Sequence, residues 1–444
     1  MFVPPVRRPG RSDTDVPVLG LLVVLLLLLL LGGGGVMMWQ WQKMRMMEAE
    51  VRAEAMMAEE QAQLAMAERE RAEAEAGKRH KEVPLADVLR DGQRKSAGDA
   101  LERGLKLCEA HEVNDGLLWF VRGLEQSSDD PALQRVFRAN LAAWGQPHED
   151  GKLFAQKGAV TALALSPDGK TALSGGEDGA ARAWRADGGQ PAGESAPGEG
   201  KVSALGFGDG GKEWVVANGG QVQRYDAKGK PVEEPLAAPG VVLAMTAKAE
   251  GKLLMCGTCE QGIWLSEDGE RQGAARLFTP DSPVLSAALA GDAKVFLTGH
   301  DKTARHWGAD GQAVGKPLQH DAPVRAVALS PAGKLFATGA GKAVRLWDAA
   351  THLPIGRPLL HQADVLSLTF AADGKSVLAG DQGGVVRRLT VAAPLQGDLP
   401  RVKFWVEVTA GKELDAAGTL RPLNDTTRKE RRLKLQALGG PLTP

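Results

Sequence analysis

Cysteine is nearly absent from this chain. Three residues in 444 cannot frame a fold with disulfides. Cys256 and Cys259 form the one C-x-x-C spacing, and no second pair exists to complete a four-thiolate zinc site within one chain. Aromatic residues are scarce at 5%, with a single Tyr, so the ten Trp stand out as markers. Neither sign of charge dominates. The net charge of −1 removes any bulk electrostatic case for nucleic acid as a partner. There is no glycine-rich phosphate loop opening a helix, no G-x-S-x-G elbow and no HExxH pair. His300 and His306 are separated by five residues, which fits no common zinc spacing, and they read as structural. No catalytic residue, cofactor or metal ligand is therefore assigned, and the chain reads as a non-enzyme.

What is present is a repeat, built on 55 glycines that serve many tight turns. Its clearest copy is VRAVALSPAGKLFATGAGKAVRLWDAATHLP, residues 324–354. Short apolar runs begin at Val324, Leu335 and Val344, and they are separated by Ser-Pro-Ala-Gly and Gly-Ala-Gly. Strand, turn, strand, turn, strand cannot bury both faces of so small a sheet without like neighbours. The leading valines recur as Val160, Val202, Val241, Val284, Val324 and Val365, in steps of about 42, 39, 43, 40 and 41 residues. The third run ends at Trp184, Tyr225, Trp264, Trp307, Trp347 and Leu389, so five of six copies place an aromatic residue there. Literal Trp-Asp occurs at Trp347-Asp348.

Period and strand pattern over roughly 151–395 resemble the WD40 repeat family. The expected fold is mainly β, a WD40-type propeller over 148–395. It has six blades if Lys152-Leu153-Phe154-Ala155 closes the last one, or seven if residues 401–423 build another. The family often rigidifies each blade through a His, a Ser or Thr, an Asp and the Trp, and no copy here holds all four. The first copy has Ser174, Asp178 and Trp184 but Gln156; the fourth has Thr298, Asp301 and Trp307 but Pro280. The fifth has His320, Thr338 and Trp347 without the Asp, and the sixth has His361 and Asp381 but Leu389. Trp347 is therefore read as a packing residue between blades rather than the anchor of a full hydrogen-bond set.

The flanks differ in character. Residues 1–15 are polar, with Arg7, Arg8 and Arg11. Residues 16–38 carry no charge, and Leu21 to Leu31 is only Leu and Val. As a helix this span reaches roughly 34 Å, enough for a bilayer core of about 30 Å. A transmembrane anchor and a cleaved signal peptide both fit it. The arginines before the span place the N-terminus on the cytoplasmic side and the propeller on the outer side. Residues 39–84 read as a long Ala/Glu/Arg/Met helix, a solvated stalk or a weak coiled coil able to form a homodimer. Residues 85–147 read as three helices, with Gly104, Leu107, Gly116, Phe120 and Gly123 spaced as in a tetratricopeptide repeat. In 396–444, VKFWVEVTAG is a helix or strand packed on the last blade. A basic helix follows from Asn424, with Thr427 and Glu430 as its capping box and Gly439-Gly440-Pro441 at its end.

The order span, stalk, Gly116-Leu117-Leu118-Trp119, Asn140-Leu141-Ala142-Ala143-Trp144, repeats and Leu438-Gly439-Gly440 resembles the C-terminal half of bacterial membrane-anchored Ser/Thr kinases with WD40 repeats. No HRD, DFG or VAIK run occurs and 15 residues before the span cannot hold a kinase domain, so kinase activity is not implied. Three functions follow as expectations. One is a membrane-anchored scaffold binding proteins on the propeller's loop faces. Another is a sensory or ligand-binding ectodomain serving a separate kinase. The third is a redox protein using Cys256 and Cys259.

Overall fold

A computed structural model describes residues 44–46, 85–145, 151–193, 196–238, 240–247, 253–259, 262–267, 283–289, 295–308 and 310–442. The chain divides after Leu89, and the fold below is that of the unit from Arg90 to Pro444 with the helix that leads into it. The proposed span at 16–38 and nearly all of the stalk lie outside the described residues. Among the described ones, no helix is long and apolar enough to cross a membrane.

Three helices lead the unit: α1 (Leu85–Glu109), α2 (Val113–Gln126) and α3 (Pro131–Gly145). The glycines of the tetratricopeptide-like pattern are the close contacts between them. A methyl group on Gly104 would enter the Phe120 ring, one on Gly116 would meet the Cys108 sulfur, and one on Gly123 would overlap Phe137. Small residues face large ones across each helix pair, so the helices approach closely enough to exclude water.

The strands follow as β1 (Gly151–Ala155), β2 (Val160–Leu165), β3 (Thr171–Gly176), β4 (Ala181–Arg185), β5 (Val202–Gly208), β6 (Glu213–Asn218), β7 (Gln221–Asp226) and β8 (Leu236–Ala237). Next come β9 (Val241–Ala247), β10 (Leu253–Cys259), β11 (Gly262–Glu267), β12 (Ser286–Leu289), β13 (Val295–Gly299), β14 (Thr303–Gly308) and β15 (Ala313–Gln319). The last are β16 (Val324–Leu329), β17 (Leu335–Ala340), β18 (Ala343–Asp348), β19 (Pro354–Leu360), β20 (Val365–Phe370), β21 (Ser376–Asp381) and β22 (Val385–Thr390). They pair antiparallel into the sheets β2–β4, β5–β8, β9–β11, β12–β15, β16–β19, and β20–β22 with β1 added at its edge. The first strand of each repeat packs against that of the next, in the cycle β2, β5, β9, β12, β16, β20 and back to β2. This is a β-propeller. The predicted closure forms as β1 pairs with β22, Phe154 opposite Val386 and Ala155 opposite Val385.

The fourth strands are uneven. Both AVGKPLQ and PIGRPLL form full outer strands, β15 and β19. In the second sheet β8 is two residues long, and in the first the outer position holds only the bridges Ala181–Ala196 and Trp184–Pro191. Residues 401–423 do not form a further blade. They form most of α4 (Leu399–Ala410) and a hairpin of β23 (Lys412–Leu414) and β24 (Leu420–Pro422). Pro400 sits at the start of the helix, where its missing N–H costs nothing, and Gly411 ends it in the left-handed conformation.

The leading valines are the joints of the ring. Val160, Val202, Val242, Val324 and Val365 are all fully buried. In the third repeat the buried residue is Val242; Val241, the residue aligned by sequence, is exposed. A methyl group on Gly380, Gly175, Gly299 or Gly339 would collide with Val160, Val202, Val324 or Val365 of the following blade. Hydroxyls add a second link: Thr161 donates to the Val202 carbonyl (2.7 Å), Ser286 to Val324 (3.2 Å) and Ser367 to Val160 (2.9 Å).

The tail and the leading helices share one core. Leu117, Leu118, Phe137, Leu141 and Trp144 pack with Leu395, Val402 and Val406, joined by partly buried Trp405, Leu414 and Leu420. Helix α4 thus lies on α2 rather than on the last blade. Helix α5 (Asp425–Ala437) is capped by Asn424, whose side chain accepts from the Thr427 N–H at 2.8 Å. That replaces the Thr427–Glu430 capping box, because the helix begins at Asp425.

Candidate interaction surface

The propeller encloses a channel of about 610 Å³ lined by the first strands of its sheets. Strand pairing slips by one residue at Val160/Ala162, Val202/Ala204, Val324/Ala326 and Val365/Ser367, and in the third sheet opposite Cys256/Gly257. Each slip is a β-bulge, which leaves one residue unpaired and re-aims its side chain. The unpaired residues are Thr161, Ser203, Leu243, Arg325 and Leu366; Leu285, just before β12, holds the matching place. All six line the channel.

The ring they form has two unlike halves. Thr161 and Ser203 are occupied, the first bonding Gly175 and Val202 carbonyls and the second the Ala217 carbonyl at 3.3 Å. Leu243, Leu285, Arg325 and Leu366 make up the other half. Leu285 and Arg325 are exposed, and Arg325 has no hydrogen-bond or ion-pair partner among the described residues. These positions carry no signal in the sequence because residue type does not repeat there. What marks them is place: each follows the buried valine.

Trp184, Tyr225, Trp307 and Trp347 each hold a hydrogen-bond partner. Trp184 Nε1 donates to Ser174 Oγ (2.7 Å), which donates to Gln156 Oε1 (2.6 Å). Gln156 therefore fills the role expected of a His. Trp184 also stacks on Phe154 of the closing strand, centroids 4.4 Å apart. Trp307 donates to Thr298 Oγ1 (2.7 Å), which meets His300 Nε2 (2.9 Å), while His300 Nδ1 lies 3.1 Å from the Pro283 carbonyl. Here a His after the second strand fills the place left by Pro280. The Tyr225 hydroxyl donates to the Pro197 carbonyl (2.6 Å), and burial raises its pKa. Trp264 faces Gly257 across β10 and β11; its side chain is outside the described set.

Trp347 makes one hydrogen bond of a blade set, not the full set. Its indole N–H donates to Thr338 Oγ1 at 2.8 Å, so it anchors a hydrogen bond as well as packing. The missing turn Asp does not prevent this, because the Thr lies diagonally across on β17, two residues beyond Phe336, which pairs with Trp347. His320 packs edge-on against the indole, 5.4 Å between centroids. Asp348 is wholly buried and turns away from that set. One oxygen accepts from the Ala350 and Thr351 N–H groups, and the other takes Arg135 of α3 at 2.7–2.8 Å. Asn140 of α3, also buried, donates to the Pro354 carbonyl (3.0 Å) and accepts from the Gly356 N–H (2.8 Å). The helical region is thus seated on the edge strand β19.

The C-x-x-C pair lies inside β10, Cys256 opposite Leu265 and Cys259 opposite Gly262. Its backbone is extended, not the helix N-terminus that lowers a thiol pKa in redox motifs. Cys108 is buried between α1 and α2, and burial pushes its thiol up to about 12, so it stays protonated. Among the described residues no three His, Cys, Asp or Glu side chains are grouped to hold a metal ion.

No curated protein matches the chain. Two segments, residues 150–185 and 311–348, match the family model described as WD domain, G-beta repeat.

Proposed function

We propose that this chain is a membrane-tethered, six-bladed protein-interaction module, and that the bulge-ringed mouth of its channel is the docking surface. WD40 propellers generally bind protein partners, and the observation that carries the assignment to this mouth is the Leu243–Leu285–Arg325–Leu366 arc. Leu243, Arg325 and Leu366 are re-aimed by bulges and Leu285 holds the matching place before β12, so four blades present side chains to one opening, whereas elsewhere in the ring the hydroxyls are used up. Leu285 is an exposed aliphatic side chain and Arg325 an exposed guanidinium without a partner among the described residues, and Arg is enriched at contact hot spots. Photo-crosslinkers placed at Leu285 and at exposed Leu360 on an outer strand test the reading. Crosslinks to a reproducible protein from Leu285 and none from Leu360 are expected; the reverse pattern would sink it.

The tether is supported by the uncharged residues 16–38 and the arginines before them. The same signals favour a propeller on the outer side of the cytoplasmic membrane, with residues 39–84 as a stalk able to pair in a homodimer. A topology reporter fused after Pro444 should be active on the outer side only. The alternative of a sensory ectodomain for a separate kinase is favoured by the motif order, since GLLW and NLAAW supply one core with the tail. Co-purification of a kinase with the detergent-solubilised chain tests it.

A further inference from the structure

The chemistry of the arc also indicates what kind of segment it accepts. The channel lining holds two charged residues among the described ones, Lys201 and Arg325, and no Asp or Glu. Asp321 and Asp364, in the loops leading into β16 and β20, are not among the lining residues. Arg325 follows Leu285 and precedes Leu366 around the ring, so its place in the lining falls between two aliphatic residues of the neighbouring blades. Leu243 continues the apolar side beyond Leu285, and Thr161 and Ser203 spend their hydroxyl protons on backbone carbonyls.

That arrangement selects by charge and by shape together. A guanidinium offers a planar fork of donors that matches a carboxylate with two parallel bonds. Apolar walls lower the local dielectric, so the pair is worth more there than in open water, and a segment without an acid leaves the Arg desolvated and unpaired. A basic segment is repelled by both Arg325 and Lys201. We propose that the occupant is an acidic peptide segment of a partner protein, one Asp or Glu flanked by aliphatic residues. Its carboxylate pairs with Arg325, and its neighbours pack on Leu285 and Leu366. The inference rests on the mouth being the docking surface, and it adds the partner's chemistry.

The test is selection of binders from a random heptapeptide library on the full chain in detergent, followed by anisotropy titration of the enriched sequences. The expected outcome is enrichment of an acid next to Leu, Ile or Val. Changing that acid to its amide should weaken binding roughly tenfold, the weight of one charge-assisted pair. Arg325→Gln should remove this discrimination while leaving the melting temperature unchanged, because the side chain is exposed. Enriched peptides without an acid, or an acid preference that survives in Arg325→Gln, would overturn the proposal. If binders lose affinity in Leu285→Asp yet ignore the acid, the docking surface stands and the acidic partner falls. Binders indifferent to both variants, or no binders at all, would remove the docking surface as well.

Discussion

At the scale of single residues, the hydrogen-bond sets of the blades are filled by whatever donor or acceptor lies in reach. Gln156 serves Ser174, and His300 serves Thr298 from just beyond the end of the same strand. The chemistry is kept while the residue type is not, which is why residue type alone marked these blades as incomplete. Trp347→Ala removes a buried aromatic side chain and strands Thr338. It should lower stability by about 3–5 kcal/mol, read as a shift in urea midpoint. An unchanged midpoint would refute the β17–β18 register that sets Trp347 beside Thr338. The histidines make a second prediction. Burial holds His306 and His320 at about 4, and His306 is further opposed by His352, whose Nε2 lies 3.0 Å from its Nδ1. Unfolded imidazoles protonate near 6.5, so below that value the unfolded chain binds more protons than the folded one. Stability should be full above pH about 6.5 and fall steadily toward pH 4. Urea midpoints measured from pH 7 to 4.5 check this, and His306→Gln with His320→Gln should flatten the slope.

Among the elements, α3 and β19 form the joint between helices and propeller. The polar links of α3 are Arg135–Asp348, the Asn140 bonds to Pro354 and Gly356, and Arg138 donating to the Leu395 and Gly397 carbonyls. Gly356 has a left-handed backbone and its missing side chain leaves room for Ala143. Arg135→Met leaves Asp348 as a buried charge held only by turn donors, which should cost about 1–3 kcal/mol. Amide exchange of residues 131–145 should then quicken without a matching change in β20–β22. Uniform quickening in both would show that the joint is not a separate unit. The basic stretch of α5 has a similar internal use in part: Arg431 pairs with buried Glu407 at 2.9 Å and with Glu413 at 3.1 Å.

For the whole molecule, closure decides the architecture. The strand that completes the last blade comes from the front of the repeats, so the ring is latched by β1 on β22 and by Trp184 stacking on Phe154. A closed ring hides the edges that an open sheet offers to other chains. Phe154→Asp puts a charge into that stack. The variant should lose its single cooperative transition and show concentration-dependent association by light scattering. A monomer that melts as before would mean that the latch is dispensable.

The repeat period, the three short strands per copy, the closing strand at 152–155 and the three leading helices are legible because they are local. Alternation, turn residues and helix spacing each act over a few neighbours. The glycine-to-valine joints are half legible: the valines repeat, but the glycines that receive them belong to the preceding blade and signal nothing alone. Residues 401–423 could be read as strands because apolar residues recur there, and only the core shared with α2 makes the first part a helix. Similarly, the arc of Leu243, Leu285, Arg325 and Leu366 has no sequence motif. These residues are about 40 apart in the chain, and they line one channel because each takes the same place at the start of an inner strand, three of them at a bulge, in a ring that closes. The sequence by itself determined the repeated unit. Tertiary packing decided which residue of each unit faces the channel, since that depends on a register between strands and on neighbours a whole blade away.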